Sequence, residues 1–246
     1  MLLLAVLPAF NVYAAVSLDG LVLTSSALAL WGLLLARVGR LAAGAAIFTA
    51  GFLATQALTF GGAWLAAAAG LLGLVDLWRE RRPAALVTLA VALLALAACA
   101  GLLQAAFGYD HWTALLTASR LENPHGFRGL VQPLQYLMTR IEGVAEIALF
   151  LSVPALAVLA STDHRGPLIL DLRGDPGRAI LAGVGALAAM ILAGAWCTGE
   201  TARACLFISP VLLLAFSATP KQHFGPLLLA VAIQTALMQG FANFFW

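Results

Sequence analysis

Charge is scarce in this sequence. Asp, Glu, Lys and Arg make up 10% of its 246 residues, against about 25% in an ordinary soluble domain. Apolar residues make up 63%, and the mean hydropathy is +0.98. Charge this sparse cannot cover a soluble surface, so the composition predicts a polytopic α-helical membrane protein. The alternation of barrel strands is missing too. The apolar runs are continuous and rich in Leu and Ala, which argues against a β-barrel. No sign of charge dominates, and a net charge of +2 implies no nucleic-acid partner. Cysteine is sparse. Cys99, Cys197 and Cys205 show no metal-ligand or disulfide spacing. Cys197 and Cys205 flank one outer turn and are weighed as a bridge, but all three read as small packing residues. No charged n-region or cleavage site marks a secretory signal, and Met1 is followed directly by LLLAVLPAFNVY. Nucleophile elbows, P-loops and zinc spacings are absent. So are the internal repeats that mark many transporters.

What is present is a succession of apolar runs. A spanning helix needs about 20 apolar residues, with a range of about 17–25. Nine segments read as candidates, approximately 1–14, 20–36, 41–58, 63–78, 84–106, 143–160, 179–197, 203–218 and 224–243. The first is short and holds Pro8 and Asn11. The third and fourth form a tight hairpin broken by Gly61 and Gly62. The expected fold class is all-α: a single transmembrane helical bundle over residues 1–246, with about 8–9 membrane segments. An outer interfacial segment occupies 107–142.

Lys and Arg suggest the orientation. The loops RVGR, RERRP, STDHRGPLILDLRGDPGR and TPKQHFGP fall on one side if the segments alternate. That side is then cytoplasmic, its charges reading as ordinary topogenic loops. The N-terminus lies inside and the C-terminus outside. A bacterial inner membrane suits the Ala/Leu/Arg-rich composition. Within 107–142, DHWTALLTASRL has the spacing of a short helix lying along the interface. A second short helix, about 133–142, leads back toward the membrane.

Polar groups near membrane depth are costly and therefore informative. Glu200 and Arg203 stand at the start of the 203–218 helix, where Thr198 is a plausible N-cap. Their spacing permits a local ion pair. A helix start bearing an arginine at headgroup level also suits a lipid phosphate. Arg140, Glu142 and Glu146 form a second cluster. Glu146 reads either as a hydrogen-bonded contact between helices or as a substrate or metal contact. Asp19, or Ser17, could cap the second helix; Asp19 could also face an outer cavity. Asp110 and His111, beside Tyr109, could act as acid and base or hold a metal, although a lone Asp-His dipeptide is a weak signal and an interfacial loop accounts for them better.

The order of these parts resembles the later portion of the GT-C superfamily of integral-membrane glycosyltransferases. LPAFNVYAAVSLDGLVLTSSALALWGLLLAR is similar to a Pro-containing helix followed by an outer turn with Asp. AAIFTAGFLATQALTFGGAWLAAAAGLLGL is similar to the family's tight hairpin. FGYDHWTALLTASR followed by YLMTRIEGVAEIALFLSVPAL resembles its long outer connection and re-entry, and GETARACLFISPVLLLAF its Glu-x-x-Arg helix start. The resemblance implies transfer of a sugar from a polyprenyl-phosphate donor on the outer face of the membrane, with a carboxylate as base. Some members also need a divalent metal; no other cofactor is implied, and no metal ligand is assigned. By the same resemblance, Glu200, Arg203 and Arg140 would meet the donor phosphate or lipid. Asp19 and Asp110 are the catalytic candidates, with Tyr109, His111, Glu142 and Glu146 further outer-face candidates. The family's main catalytic carboxylate lies in a first outer loop. No acidic residue precedes Asp19, so the expectation is a chain without that loop: a C-terminal fragment, a chain read from an internal start, or a degenerate relative without activity. The partners expected are the bilayer and the lipid-linked sugar. A multi-pass transporter and a non-catalytic scaffold subunit are the competing readings.

Overall fold

The computed structural model describes residues 2–14, 18–124, 126–160, 162–163, 166–167, 175–194, 201–216 and 221–241. Its first helices are α1 (Leu2–Val6), α2 (Asp19–Arg37), α3 (Leu41–Thr59), α4 (Gly62–Glu80) and α5 (Ala84–Phe107). Then follow α6 (His111–Glu122), α7 (Pro133–Leu151) and α8 (Val153–Ala160). After a minimal antiparallel pair, β1 (Thr162–Asp163) and β2 (Gly166–Pro167), comes α9 (Asp175–Ala193). The short α10 (Thr201–Ala204) and α11 (Ser209–Leu213) precede α12 (Lys221–Phe241).

The helix ends have local causes. Gly39, at φ +95°, turns the chain between α2 and α3. The α3–α4 turn places Phe60 in the left-handed region, and its N–H returns to the Gln56 carbonyl. Gly108 ends α5 at φ +68°, its N–H donating to the Gln104 carbonyl. This is the usual use of glycine just past a helix end.

The α2–α3 pair packs backbone to backbone. A Cβ on Gly44 would lie 2.4 Å from the Ala36 nitrogen, and one on Gly51 2.4 Å from that of Ala29. Small residues at about one-turn spacing allow this approach, which replaces the hydrophobic drive that lipid does not supply. The Ser25 and Thr55 hydroxyls meet across the seam, 2.9 Å apart. α4 packs on α9 through the fully buried Trp64, whose indole N–H donates to the Gly183 carbonyl at 3.0 Å.

The end of the bundle bearing Arg37 holds a buried charge network. Arg37 donates Nε and Nη2 to Asp76 at 2.7 and 2.9 Å. Arg178 of α9 reaches Asp76 at 3.4 Å and Glu80 at 2.5 Å. These loops had read as ordinary topogenic charge. Their role in joining α2, α4 and α9 was not visible, because the partners lie 39 and 102 residues apart.

The expectation of 8–9 membrane segments is corrected. Four described helices are long and apolar enough to cross a membrane: α2, α3, α5 and residues 223–241 of α12. The remaining helices pack on one another and on these. The excess came from counting apolar residues without counting breaks. The 1–14 run divides near Pro8 into α1 and a π-helical turn over Phe10–Ala14. The 143–160 run breaks at Ser152, φ +91°. The Gln234 side chain patches that break, accepting from Val153 N–H and donating to the Leu149 carbonyl. The 203–218 run is a series of short α and 3-10 pieces, among them α10 and α11. α4 carries Asp76, Arg79 and Glu80 toward its end, and α7 carries Arg140, Glu142 and Glu146. The all-α character stands.

Candidate functional site

At the opposite end of the bundle, the start of α2, the α3–α4 turn, α6 and the 201–207 segment line an open cavity of about 360 Å³. Asp19 is the first residue of α2, the cap position falling on Leu18. Its carboxylate accepts from Arg203 Nε at 2.9 Å. The pair lies at the cavity wall, with the Arg203 side chain 40% exposed and that of Asp19 19%. Apolar wall is supplied by Val22, Phe60, Leu115, Met190 and Phe207, with Thr59 and Ser119 as hydroxyls. The pocket is therefore an apolar chamber with one ion pair in its lining.

Glu200, the partner suggested for Arg203, lies outside the described residues, as do Thr198, Ser17, His125 and Cys197. α10 is held instead from a distant helix. The Glu146 carboxylate on α7 accepts from the Thr201 and Ala202 backbone N–H groups at 3.0 and 3.1 Å. These are first-turn donors that would otherwise lack intrahelical partners. Gly143, one turn before Glu146, admits Thr201 closely: a Cβ there would lie 3.3 Å from it. Sequence spacing could not find this contact, since 55 residues separate donor and acceptor.

Arg140 does not line the Asp19 pocket. It is buried on α7, stacks over the Tyr136 ring at 5.0 Å and donates to the Ile191 carbonyl at 3.2 Å. Tyr136 Oη donates to the Leu192 carbonyl, and Asn123 Nδ2 to that of Gly194 at 2.5 Å. These donors meet the last carbonyls of α9, where the helix dipole favours a cation. With Arg128, Arg140 borders a smaller cavity of about 110 Å³. Glu142 is exposed and lines neither cavity.

Asp110, His111 and Tyr109 lie off the Asp19 pocket. Asp110 caps α6, accepting from Trp112 N–H at 2.9 Å and Thr113 N–H at 3.2 Å, and from the Thr113 hydroxyl at 2.6 Å. The Thr113 hydroxyl, then the Thr113 and Trp112 N–H groups and the neighbouring His111, hold this carboxyl below its ordinary value of 3.8. A carboxyl depressed in the folded state contributes stability above its unfolded value, lost as pH falls through the folded one. The start of α6 is therefore expected to stay protected near pH 5 and to fray as pH falls below about 3.8. Amide exchange at Trp112 and Thr113 measures this; equal protection at pH 5 and pH 2.5 would contradict it. His111 is buried, its Nε2 3.2 Å from Gln56 Nε2 and its ring among Phe60, Tyr109 and Trp112.

Asp19 and Arg203 are thus brought together, Glu146 supports their neighbour, and Arg140 and Asp110 belong to other corners of the same end. Among the described residues no three His, Cys, Asp or Glu side chains converge to hold a metal. The chain matches no family model, no curated protein and no solved structure. The fold is that of a helical protein with several long apolar helices, consistent with a polytopic membrane protein.

Proposed function

We propose that this chain binds the phosphate-bearing head of a lipid-linked sugar in the Asp19–Arg203 pocket and acts as a GT-C-like glycosyltransferase. The observation that carries the reading is the arginine–carboxylate pair lining an apolar cavity at the first turn of a membrane-length helix. A partly exposed ion pair is worth only about 0–1 kcal/mol. The Asp19 pair is therefore a weak competitor for Arg203 against a phosphate. A guanidinium suits that task by its planar fork of donors. Asp19 then serves as the base. The acceptor hydroxyl oxygen bonds the anomeric carbon, and the bond from that carbon to the phosphate oxygen breaks. Asp19 takes the hydroxyl proton, and the polyprenyl phosphate leaves with the electron pair beside Arg203. The reading places this end outside the cell and the Arg37 end in the cytoplasm, by the distribution of Arg and Lys.

The polar groups at mid-helix depth favour this over a conduit. Ser25, Thr55 and Gln234 all make hydrogen bonds within the protein. The test uses membranes carrying the chain and a radiolabelled polyprenyl-phosphate sugar. Arg203→Ala is expected to lower lipid retention about tenfold, the loss of a hydrogen bond to a charged group. Arg203→Lys should restore part of it. Asp19→Asn should retain the lipid but release no sugar. Retention unchanged in Arg203→Ala would sink the proposal. Because Glu146 holds α10, Arg203→Ala should leave the melting temperature near that of the wild type, which separates binding from folding.

A further inference from the structure

A third concavity lies along the C-terminal half of α5 and is distinct from the two above. It has a volume of about 490 Å³, within the roughly 300–1,000 Å³ of small-molecule sites. α5 is the most apolar and least buried of the four membrane-length helices. Its buried residues, Ala85, Thr88 and Ala92, all lie in its first half. Beyond them the helix is more exposed, Leu96 still meeting the core at its edge, and the turn at Gly108 brings Asp110, His111 and Trp112 to one end of the groove. The floor of the groove is Leu93, Leu96, Ala97, Ala100 and Gly101. Its rim is Gln104, Asp110, His111 and Trp112.

Polarity therefore changes along one axis, from hydrocarbon at Leu93 to hydrogen-bonding groups at Gln104. The two residues are about 16 Å apart at about 1.5 Å per residue. One leaflet of a hydrocarbon core of about 30 Å is about 15 Å deep. The rim thus lies at headgroup level when the floor reaches the midplane, and exposed Trp112 and Tyr109 suit that level. A Cβ built on Gly101 meets nothing within 4 Å, so the groove is open at its middle. The rim carries one carboxylate, Asp110, and no Lys or Arg among the described lining residues. That charge repels an anionic head and attracts an ammonium.

We infer that this groove seats one chain of a bilayer phospholipid whose zwitterionic head places its amine against Asp110. The inference needs α5 to be embedded in a bilayer, but it does not depend on a lipid-linked sugar at Asp19.

The test is native mass spectrometry of the full chain. The protein is equilibrated in mixed micelles with equal amounts of phosphatidylethanolamine and phosphatidylglycerol of the same acyl composition. The wild type is expected to retain phosphatidylethanolamine about fivefold over phosphatidylglycerol. Gly101→Phe fills the groove and should reduce that retention about fivefold. Ala97→Leu, a milder filling change, should lower it in the same direction, so misfolding of one variant leaves the test intact. Cys99→Phe, on the same helix but absent from the groove lining, should retain lipid as the wild type does. Asp110→Asn keeps a capping side chain but removes the charge, so it should retain lipid and equalise the two heads. Equal retention of both heads by the wild type would overturn the inference. So would undiminished retention in the two filling variants, or a head preference that survives Asp110→Asn.

Discussion

Asp76→Ala is expected to destabilise the protein by about 3–5 kcal/mol, the cost of removing one partner from a buried ion pair. Asp76 is 4% exposed at its side chain and Arg37 8%, so water cannot take over the lost contacts. The change leaves the Arg37 guanidinium without the carboxylate that accepts both its Nε and Nη2. It also takes the Asp76 contact from Arg178, which keeps Glu80. Thermal unfolding in a mild detergent measures the loss. The control is Arg82→Ala, whose side chain is 64% exposed and lies 3.3 Å from Glu80. That pair is of the surface kind, worth about 0–1 kcal/mol. Asp76→Leu combined with Arg37→Leu should recover most of the stability lost in Asp76→Leu alone, because buried ion pairs are often replaceable by apolar packing. If Asp76→Ala proves no worse than Arg82→Ala, the network is not what joins the helices.

Gly44→Leu is expected to prevent α2 and α3 from docking and so to abolish a monodisperse product on size exclusion. The obstacle is backbone. A Cβ at Gly44 would stand 2.4 Å from the Ala36 nitrogen and 2.6 Å from the Gly32 oxygen, and neither belongs to a side chain that could swing away. Gly44→Ala and Gly51→Ala should each cost about 1–3 kcal/mol, as overpacking does. Gly70→Ala supplies the contrast. Its Cβ would meet only Leu89 Cδ2 at 3.6 Å, an ordinary contact. There the better helix propensity of alanine should stabilise by about 0.5–1 kcal/mol. A Gly44→Ala protein that melts with the wild type would mean that the two helices can part without loss.

From Asp19 through Phe107 the helix ends were legible. The readings 20–36, 41–58, 63–78 and 84–106 meet helices 19–37, 41–59, 62–80 and 84–107, because local signals write those ends: Gly39, the Gly61–Gly62 turn, Pro83 and Gly108. Span number was not legible. Hydrophobicity does not register that Ser152 breaks a run, or that Asp76 is neutralised by an arginine on another helix. The site was legible in part. Asp19 and Arg203 both drew attention, but 184 residues separate them, and the pairing expected for Arg203 was the local one. Glu146 reads from sequence as a hydrogen-bonded contact between helices or as a substrate or metal contact, and its partners, the Thr201 and Ala202 N–H groups, are visible only in the fold.

The Glu146 contact gives the pocket a mechanical asymmetry. Asp19 rides on α2, clamped to α3 by the glycine seam. Arg203 rides on a four-residue helix pinned through two N–H groups to α7. The two walls of the pocket thus rest on different joints, one a backbone seam between neighbouring helices and the other a carboxylate reaching in from α7.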